Sequence, residues 1–396
     1  MTEPVIVPFR PLGKYDWPST PVDHGIDRVR TALLERLRGR REQSAVDMET
    51  LVSVEPSLLD RLAPPPASHP LMAELDLTLQ DWAASSNAVQ PLQMVVLPPC
   101  ERDDILSVWA RQNDLELFSA DRDPAELEGL NDPDQPPLII PRLEDRFLRT
   151  PQGLSAVREL IRGLAGFRRR ALIGCNSWAW QFLRKSCEID LVLSEPITFR
   201  AFNRHRLRNW LGRLALGTLP DDVSDERAER LCFRAVDSGA DVFGNGDGDD
   251  EISAYMTDLA RRSFGIPWVA WHLWRDGLHL ARPADTDDAT DASDAAPKED
   301  PSNPETIWVT RPRSVSLPDR SDQNALLVLH ALLIHGGLTQ ANIDRTVPLI
   351  SYTNVLSSLL RDGLIDETDG LYRCIPAAYP TIRDGLRNNG YPLDVL

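Results

Sequence analysis

The residues best placed to do chemistry form the loop Pro98-Pro99-Cys100-Glu101-Arg102-Asp103-Asp104, which lies between an apolar run at 94–97 and an amphipathic stretch at 105–114. A strand that passes through a tight loop into a helix aims backbone N–H groups at one point, and this is how a phosphate is held. The chemistry also needs glycines that let the backbone approach, a lysine on the phosphates and a hydroxyl on magnesium. None of these is present. Pro98 and Pro99 have no N–H to donate. Asp103 and Asp104 would set two carboxylates against a triphosphate, at about 1–4 kcal/mol per charge pair in contact, depending on screening. Attraction is replaced by repulsion, which argues against ATP binding.

Other chemistries find no better footing. The five cysteines (Cys100, Cys175, Cys187, Cys232, Cys374) include no C-x-x-C pair, so neither a zinc site nor a disulfide framework is indicated. The seven histidines form no H-E-x-x-H, and G-x-S-x-G is absent. Residues 245–250, NGDGDD, hint at a calcium loop, but Asp250 stands where the sixth position needs Gly and Met256 where the twelfth needs Glu. The expectation is no metal, no cofactor and no catalytic residue.

The elements that position the loop follow from patterning. Residues 94–97, 137–140 and 170–175 read as apolar strands and 189–193 as a further one, with helices at 105–114, 153–164 and 204–216 between or after them. Strands alternating with helices imply a parallel sheet covered on both faces. Residues 1–25 carry Pro4, Pro8, Pro11, Pro18 and Pro21 and read as an extended arm that wraps the body or reaches a partner. Residues 220–282 read as all helical, with helices at 231–238, 252–263 and 268–280. Residues 283–305 form a linker of Asp, Ala and Pro. From 321 on, helices at 324–335, 339–346 and 352–361 precede a hairpin through Asp369-Gly370, the order of a winged helix-turn-helix, and a last helix spans 379–388.

Taken together, residues from about 90 to 396 resemble an AAA+ or STAND-type P-loop ATPase whose motifs have degenerated. The resemblance implies an α/β fold: a P-loop NTPase-like parallel sheet with a helical lid, plus a C-terminal winged-helix domain. Segments follow as an N-terminal arm with helices (1–89), an αβ domain (90–219), a lid (220–282), a linker (283–320) and the winged helix (321–396). The family's phosphate loop falls on residues 98–105, with Pro98 and Asp103 in place of the glycines, Asp104 in place of the lysine and Ile105 in place of the hydroxyl. Pro141 takes the position of the metal-binding Asp and Arg142 that of the catalytic acid; Glu144 and Asp145 read as the capped start of a surface helix. Asn176 or Ser177 matches the γ-phosphate sensor, and Trp268 occupies the place of the lid's sensor Arg. Loss of several motifs together implies a pseudo-ATPase working as a regulatory scaffold or adaptor. The alternatives are a nucleotide-sensing ATPase with an unconventional site and a winged-helix DNA-binding regulator.

A protein partner is therefore expected. One candidate surface is the helix at 26–42, which carries Arg28, Arg36, Arg38, Arg40 and Arg41 opposite a leucine stripe and reads either as a solvated face or as a patch for an acidic surface. The other is Trp271 and Trp274, which share a helix face with Trp268 and read as lid packing or as an exposed hot spot. DNA fits poorly: residues 321–396 carry five Arg against eight acids, and the whole chain is −17 with a pI near 4.9. The longest apolar run, 325–334, is too short to span a bilayer, and the N-terminus lacks a signal-peptide pattern, so a soluble cytoplasmic protein is expected.

Overall fold

The structure, a computed structural model, describes residues 6–18, 46, 48–84, 90–217, 231–244, 253–281, 306–312, 315–317, 323–394 and 396. The chain falls into two compact units, Met1–Asp16 with Pro66–Ala201 and Ser314–Leu396, and Trp17–Pro65 with Phe202–Arg313. These boundaries cut across the segments read from the sequence. The Arg-rich helix (Arg28, Arg36, Arg38, Arg40, Arg41), the acidic run 245–250 and the linker 283–305 lie outside the described residues.

The first unit is built on a six-stranded sheet. Its strands are β1 (Arg10–Pro11), β2 (Leu92–Leu97), β3 (Glu116–Leu117), β4 (Leu138–Ile140), β5 (Ala171–Asn176) and β6 (Ile197–Thr198), in the order β1-β6-β2-β5-β4-β3. All neighbours from β6 to β3 are parallel, with Leu97 opposite Asn176 and Ile140 opposite Ile173; β1 alone is antiparallel. Every residue of β4 and β5 is buried, as a parallel sheet covered on both faces requires. The helices are α1 (Met72–Ala84), α2 (Ile105–Gln112), α3 (Ser155–Ala165) and α4 (Ser177–Cys187). α2 buries Ile105, Leu106, Trp109 and Ala110 on one stripe, and each large apolar side chain contributes about 1.5–3 kcal/mol.

Two details differ from the sequence expectations. Residues 189–193 are not a strand: Ile189–Leu191 is a 3₁₀ turn, and the fifth parallel strand starts after Pro196, where Ile197 meets Val95. β3 went unread because it is two residues long and takes its pairing wholly from β4. Of the proline-rich stretch, residues 6–16 are described in the first unit, where β1 pairs with β6 and Phe9 and Tyr15 pack edge-on to Phe199.

The C-terminal part of this unit comprises α5 (Gln323–His335), α6 (Gln340–Thr346), α7 (Val355–Arg361) and α8 (Tyr379–Asn388), with β7 (Leu338–Thr339), β8 (Ile365–Thr368) and β9 (Leu371–Cys374). β8 and β9 form the expected hairpin through Asp369-Gly370, both residues at positive φ, and β7 adds a third antiparallel strand against β9. α5 is buried along nearly its whole length from Ala325 to His335, which makes it a core helix rather than a surface one.

The second unit is mixed, so residues 220–282 are not all helical. Leu51–Ser53, Leu278–Ala281, Thr306–Val309 and Cys232–Ala235 form a four-stranded sheet, beside the helices Pro56–Leu62, Arg204–Gly217, Ala254–Arg262 and Pro267–Arg275. Cys232–Ala235 pairs in parallel with Thr306–Val309, a partner more than 70 residues on that local patterning does not reveal. The helix from Pro267 stops at Arg275 because the chain turns at Gly277, whose N–H returns to Trp274 O at 3.0 Å; Leu278 then enters the sheet opposite Val309. Trp268, Trp271 and Trp274 are all buried, and Trp274 packs against Phe233 and Phe243 with centroids 6.3 Å apart. Trp271 and Trp274 therefore fill a core and offer no exposed hot spot. Among the described residues, no helix is long and apolar enough to cross a membrane.

Candidate functional site

In an open parallel sheet, ligands bind beyond the carboxyl ends of the strands, where the order of connections reverses. Here that place lies beyond β2 and β5, neighbours in space whose following strands lie on opposite sides of the sheet. Pro98, Asp104, Ile105, Pro141, Arg142 and Asn176 all line one small cavity there, together with Cys100, Glu101, Glu144 and Gly336. Asp103 turns away, accepting from Ser68 N at 2.9 Å and from Ser68 Oγ. Trp268 belongs to the second unit.

The loop after β2 is shaped by two non-glycine residues in the left-handed region, Cys100 (φ 65°) and Asp104 (φ 47°). Asp104 is the N-cap of α2, its carboxylate accepting from Ser107 N at 3.4 Å. The helix N-terminus, where a phosphate would sit, thus already has a protein anion on it. Arg102 points to the C-terminal hairpin, pairing with Asp366 at 2.7 Å and donating to Cys374 O at 3.3 Å.

Arg142 is the electrostatic centre of the cavity. It faces Asp145 at 3.4 Å, Glu144 at 3.5 Å and Glu101 at 3.8 Å. Glu144 is buried, not the cap of a surface helix, and accepts from Asn176 N at 3.1 Å. Burial pushes the Glu144 carboxyl above the usual range, although Arg142 opposes the shift. Burial also raises Glu101 to about 7, against Arg142 and with help from Asp103 and Asp104. The Cys100 thiol is pushed up to about 12, chiefly by burial, which leaves it a poor nucleophile.

Asn176 is fully occupied. Its Oδ1 accepts from Trp178 N at 3.0 Å and Ala179 N at 2.8 Å, capping α4, and its Nδ2 donates to Ile334 O at 3.0 Å. Ile334 belongs to α5, so the end of that helix lies over the strand ends. Gly336 just beyond has φ +66°, and a Cβ there would stand 2.5 Å from Arg142 Nη2. Arg149 reinforces the contact, its backbone N–H donating to His335 Nε2 at 3.2 Å. Beside it, Ser177 Oγ donates to Asp394 at 2.8 Å.

The volume left is about 20 Å³. One water needs roughly 10–15 Å³ by this measure, whereas small-molecule sites run to about 300–1,000 Å³. The cavity is about the size of one water. Glu101 lay in the loop singled out from the sequence but had no role of its own there, Glu144 was read as a helix cap, and Gly336 and Asp394 had no sequence signal, because their roles depend on contacts between distant segments. Among the described residues, no group of His, Cys, Asp and Glu is arranged to hold a metal ion.

No protein-family model matches the chain, and no curated protein matches it significantly. Among solved structures it is similar to a RuvB mutant of Thermotoga maritima, 11% identical over 76% of this chain and 88% of that one, with a TM-score of 0.27. It is also similar to Cdc6p of Pyrobaculum aerophilum, 12% identical over 85% of this chain and 99% of that one, again with a TM-score of 0.27. Superposition this loose leaves the reading to the sheet and the cleft.

Proposed function

We propose that this chain is a pseudo-ATPase: a P-loop-like αβ scaffold that has given up nucleotide chemistry and acts as a regulatory scaffold or adaptor through protein contacts. The observation that carries the reading is the cleft beyond β2, β4 and β5. It measures about 20 Å³ and is lined by Pro98, Glu101, Asp104, Pro141, Glu144 and Gly336 where phosphate-binding groups are needed. The C-terminal elements, read as a winged helix, serve as an interaction module rather than a DNA reader. Their acidic balance opposes phosphate binding. The turn between α6 and α7 presents Leu349 and Tyr352, 72% and 97% exposed, as the contact residues this reading favours. Steady-state ATP hydrolysis by the purified full chain with magnesium tests the proposal. The expected rate equals the blank, and turnover that disappears in Asp104→Ala would overturn it.

A further inference from the structure

A second cavity in the first unit lies at the amino ends of the parallel strands, at the opposite end of the sheet from the cleft. Leu115, Pro137 and Arg170 each stand just before a strand, β3, β4 and β5 in turn, and line it together with Ala83 near the end of α1 and Trp109 and Asn113 of the last turns of α2. Its volume is about 340 Å³, against about 20 Å³ for the cleft. Small-molecule sites run to about 300–1,000 Å³.

The walls are apolar and held in place. Trp109 is buried, and its Nε1 donates to Asp76 Oδ1 at 2.5 Å, so the indole N–H is already satisfied and the ring adds apolar wall. Pro136 and Pro137 add apolar surface and no N–H. The loop that leads to them is braced. Asn131 Oδ1 accepts from Arg168 N at 2.6 Å and from Arg169 N at 3.3 Å, and Arg169 Nε donates to Pro136 O at 2.7 Å. The site is thus preformed, as small-molecule sites usually are.

Three polar groups line it with capacity to spare. Arg170 Nη1 donates to Trp82 O at 3.4 Å and to Ala83 O, which sets the guanidinium at the Ala83 wall. Among the described residues its Nε and Nη2 have no acceptor and no carboxylate pairs with it. Asp134 is exposed. Its backbone N–H donates to Asp132 Oδ1 at 3.0 Å, while its carboxylate has no partner among the described residues. Asn113 Nδ2 donates to Trp109 O at 3.0 Å, which leaves its Oδ1 to accept. A cation and an anion therefore line one cavity without closing on each other. An anionic ligand would meet Asp134 as a like charge, and a cationic one would meet Arg170. A zwitterion with an apolar body matches both charges and the walls between them.

We propose that this cavity binds a free apolar α-amino acid: Arg170 donates to its carboxylate, Asp134 and Asn113 Oδ1 accept from its ammonium, and its side chain lies against Trp109, Leu115 and the two prolines. The proposal goes beyond the pseudo-ATPase reading and does not depend on it, because none of these residues lines the cleft.

Equilibrium dialysis of the full chain against labelled L-phenylalanine and L-leucine in turn, with unlabelled analogues as competitors, tests it. Saturable one-to-one binding of at least one of the two is expected at millimolar ligand. The N-acetyl analogue has no ammonium and the amide no carboxylate, and each should compete at least about tenfold more weakly than the parent amino acid, the loss of one charge-assisted hydrogen bond. Asp134→Asn should weaken the parent by about the same factor. Asp134 is exposed in a loop, so this variant leaves the core intact; Asp114→Asn, equally exposed and outside the cavity, should bind as the wild type does. No saturable binding of either amino acid, an amide that competes as well as the parent, or an Asp134→Asn variant that binds as the wild type does would each overturn the proposal. So would equal competition by the N-acetyl analogue, which would assign the cavity to the carboxylate end of a peptide.

Discussion

Asp394→Ala probes the tie between the end of the chain and the αβ core. The Asp394 carboxylate accepts from Ser177 Oγ at 2.8 Å, Tyr379 OH at 3.1 Å and Arg383 Nε at 3.1 Å. Its side chain has no exposure, and that of Arg383 has 9%. Removing the carboxylate deprives the buried Arg383 guanidinium of this partner, and deleting one partner of a buried pair costs about 3–5 kcal/mol. The two hydroxyls lose an acceptor as well, at about 1 kcal/mol each when no other is found. Trp178 Nε1 donates to Tyr379 Oη at 3.3 Å and cannot replace the lost acceptor, so the hydroxyl cost stands, though it is smaller than that of the charge. The expected loss is about 4 kcal/mol. Urea unfolding of the full chain measures it, with hydrogen exchange at Ser177–Cys187 and Tyr379–Asn388 locating it in the first unit. Because loss of the charge partner dominates, adding Arg383→Met to Asp394→Ala should restore about 2 kcal/mol. A loss under about 1 kcal/mol, or no recovery in the double variant, would refute the picture of a buried, charge-compensated tie.

Two further outcomes follow from the same contacts. Gly336→Ala should lower stability by more than Gly363→Ala: both sites have positive φ, at +66° and +68°, but only Gly336 has Arg142 where the new methyl would go. The backbone part is about 1–2 kcal/mol for each, and thermal unfolding of the pair isolates the clash as the difference. His330 and His335 are held neutral, chiefly by burial, at about 3 and about 4. Their folded values lie below the unfolded one, so below about pH 6.5 the unfolded chain binds the extra protons and stability falls with acidification, by about 1.4 kcal/mol per pH unit for each histidine. Denaturant midpoints of His330→Phe from pH 6.5 down to about pH 4.5 should show a slope shallower by that amount. An unchanged slope would mean that His330 is not held neutral.

Legibility in the sequence followed distance along the chain. β2, its loop and α2 form a contiguous unit whose apolar run, loop prolines and helical stripe could be read together, and the proposal of lost phosphate chemistry already rests on Pro98, Pro99 and Asp104 there. The hairpin β8–β9 was legible because Asp369-Gly370 sets its turn locally. The two-residue strands β1, β3 and β6 carry too few side chains to show a period, and their pairing comes from elsewhere. Cys232–Ala235 reads as helix until Thr306–Val309 is placed beside it. The lining of the cleft was invisible for the same reason: Gly336 comes beside Arg142 from nearly two hundred residues away, and Glu144 accepts from Asn176 N across the fold.

Nucleotide is proposed not to enter the cleft beyond β2. Equilibrium dialysis of the full chain against labelled ATP and ADP with magnesium tests it most directly. No saturable binding is expected at millimolar nucleotide, in the wild type and in Gly336→Ala alike. Stoichiometric binding at micromolar nucleotide that is lost on changing Arg142 or Asp104 would contradict it.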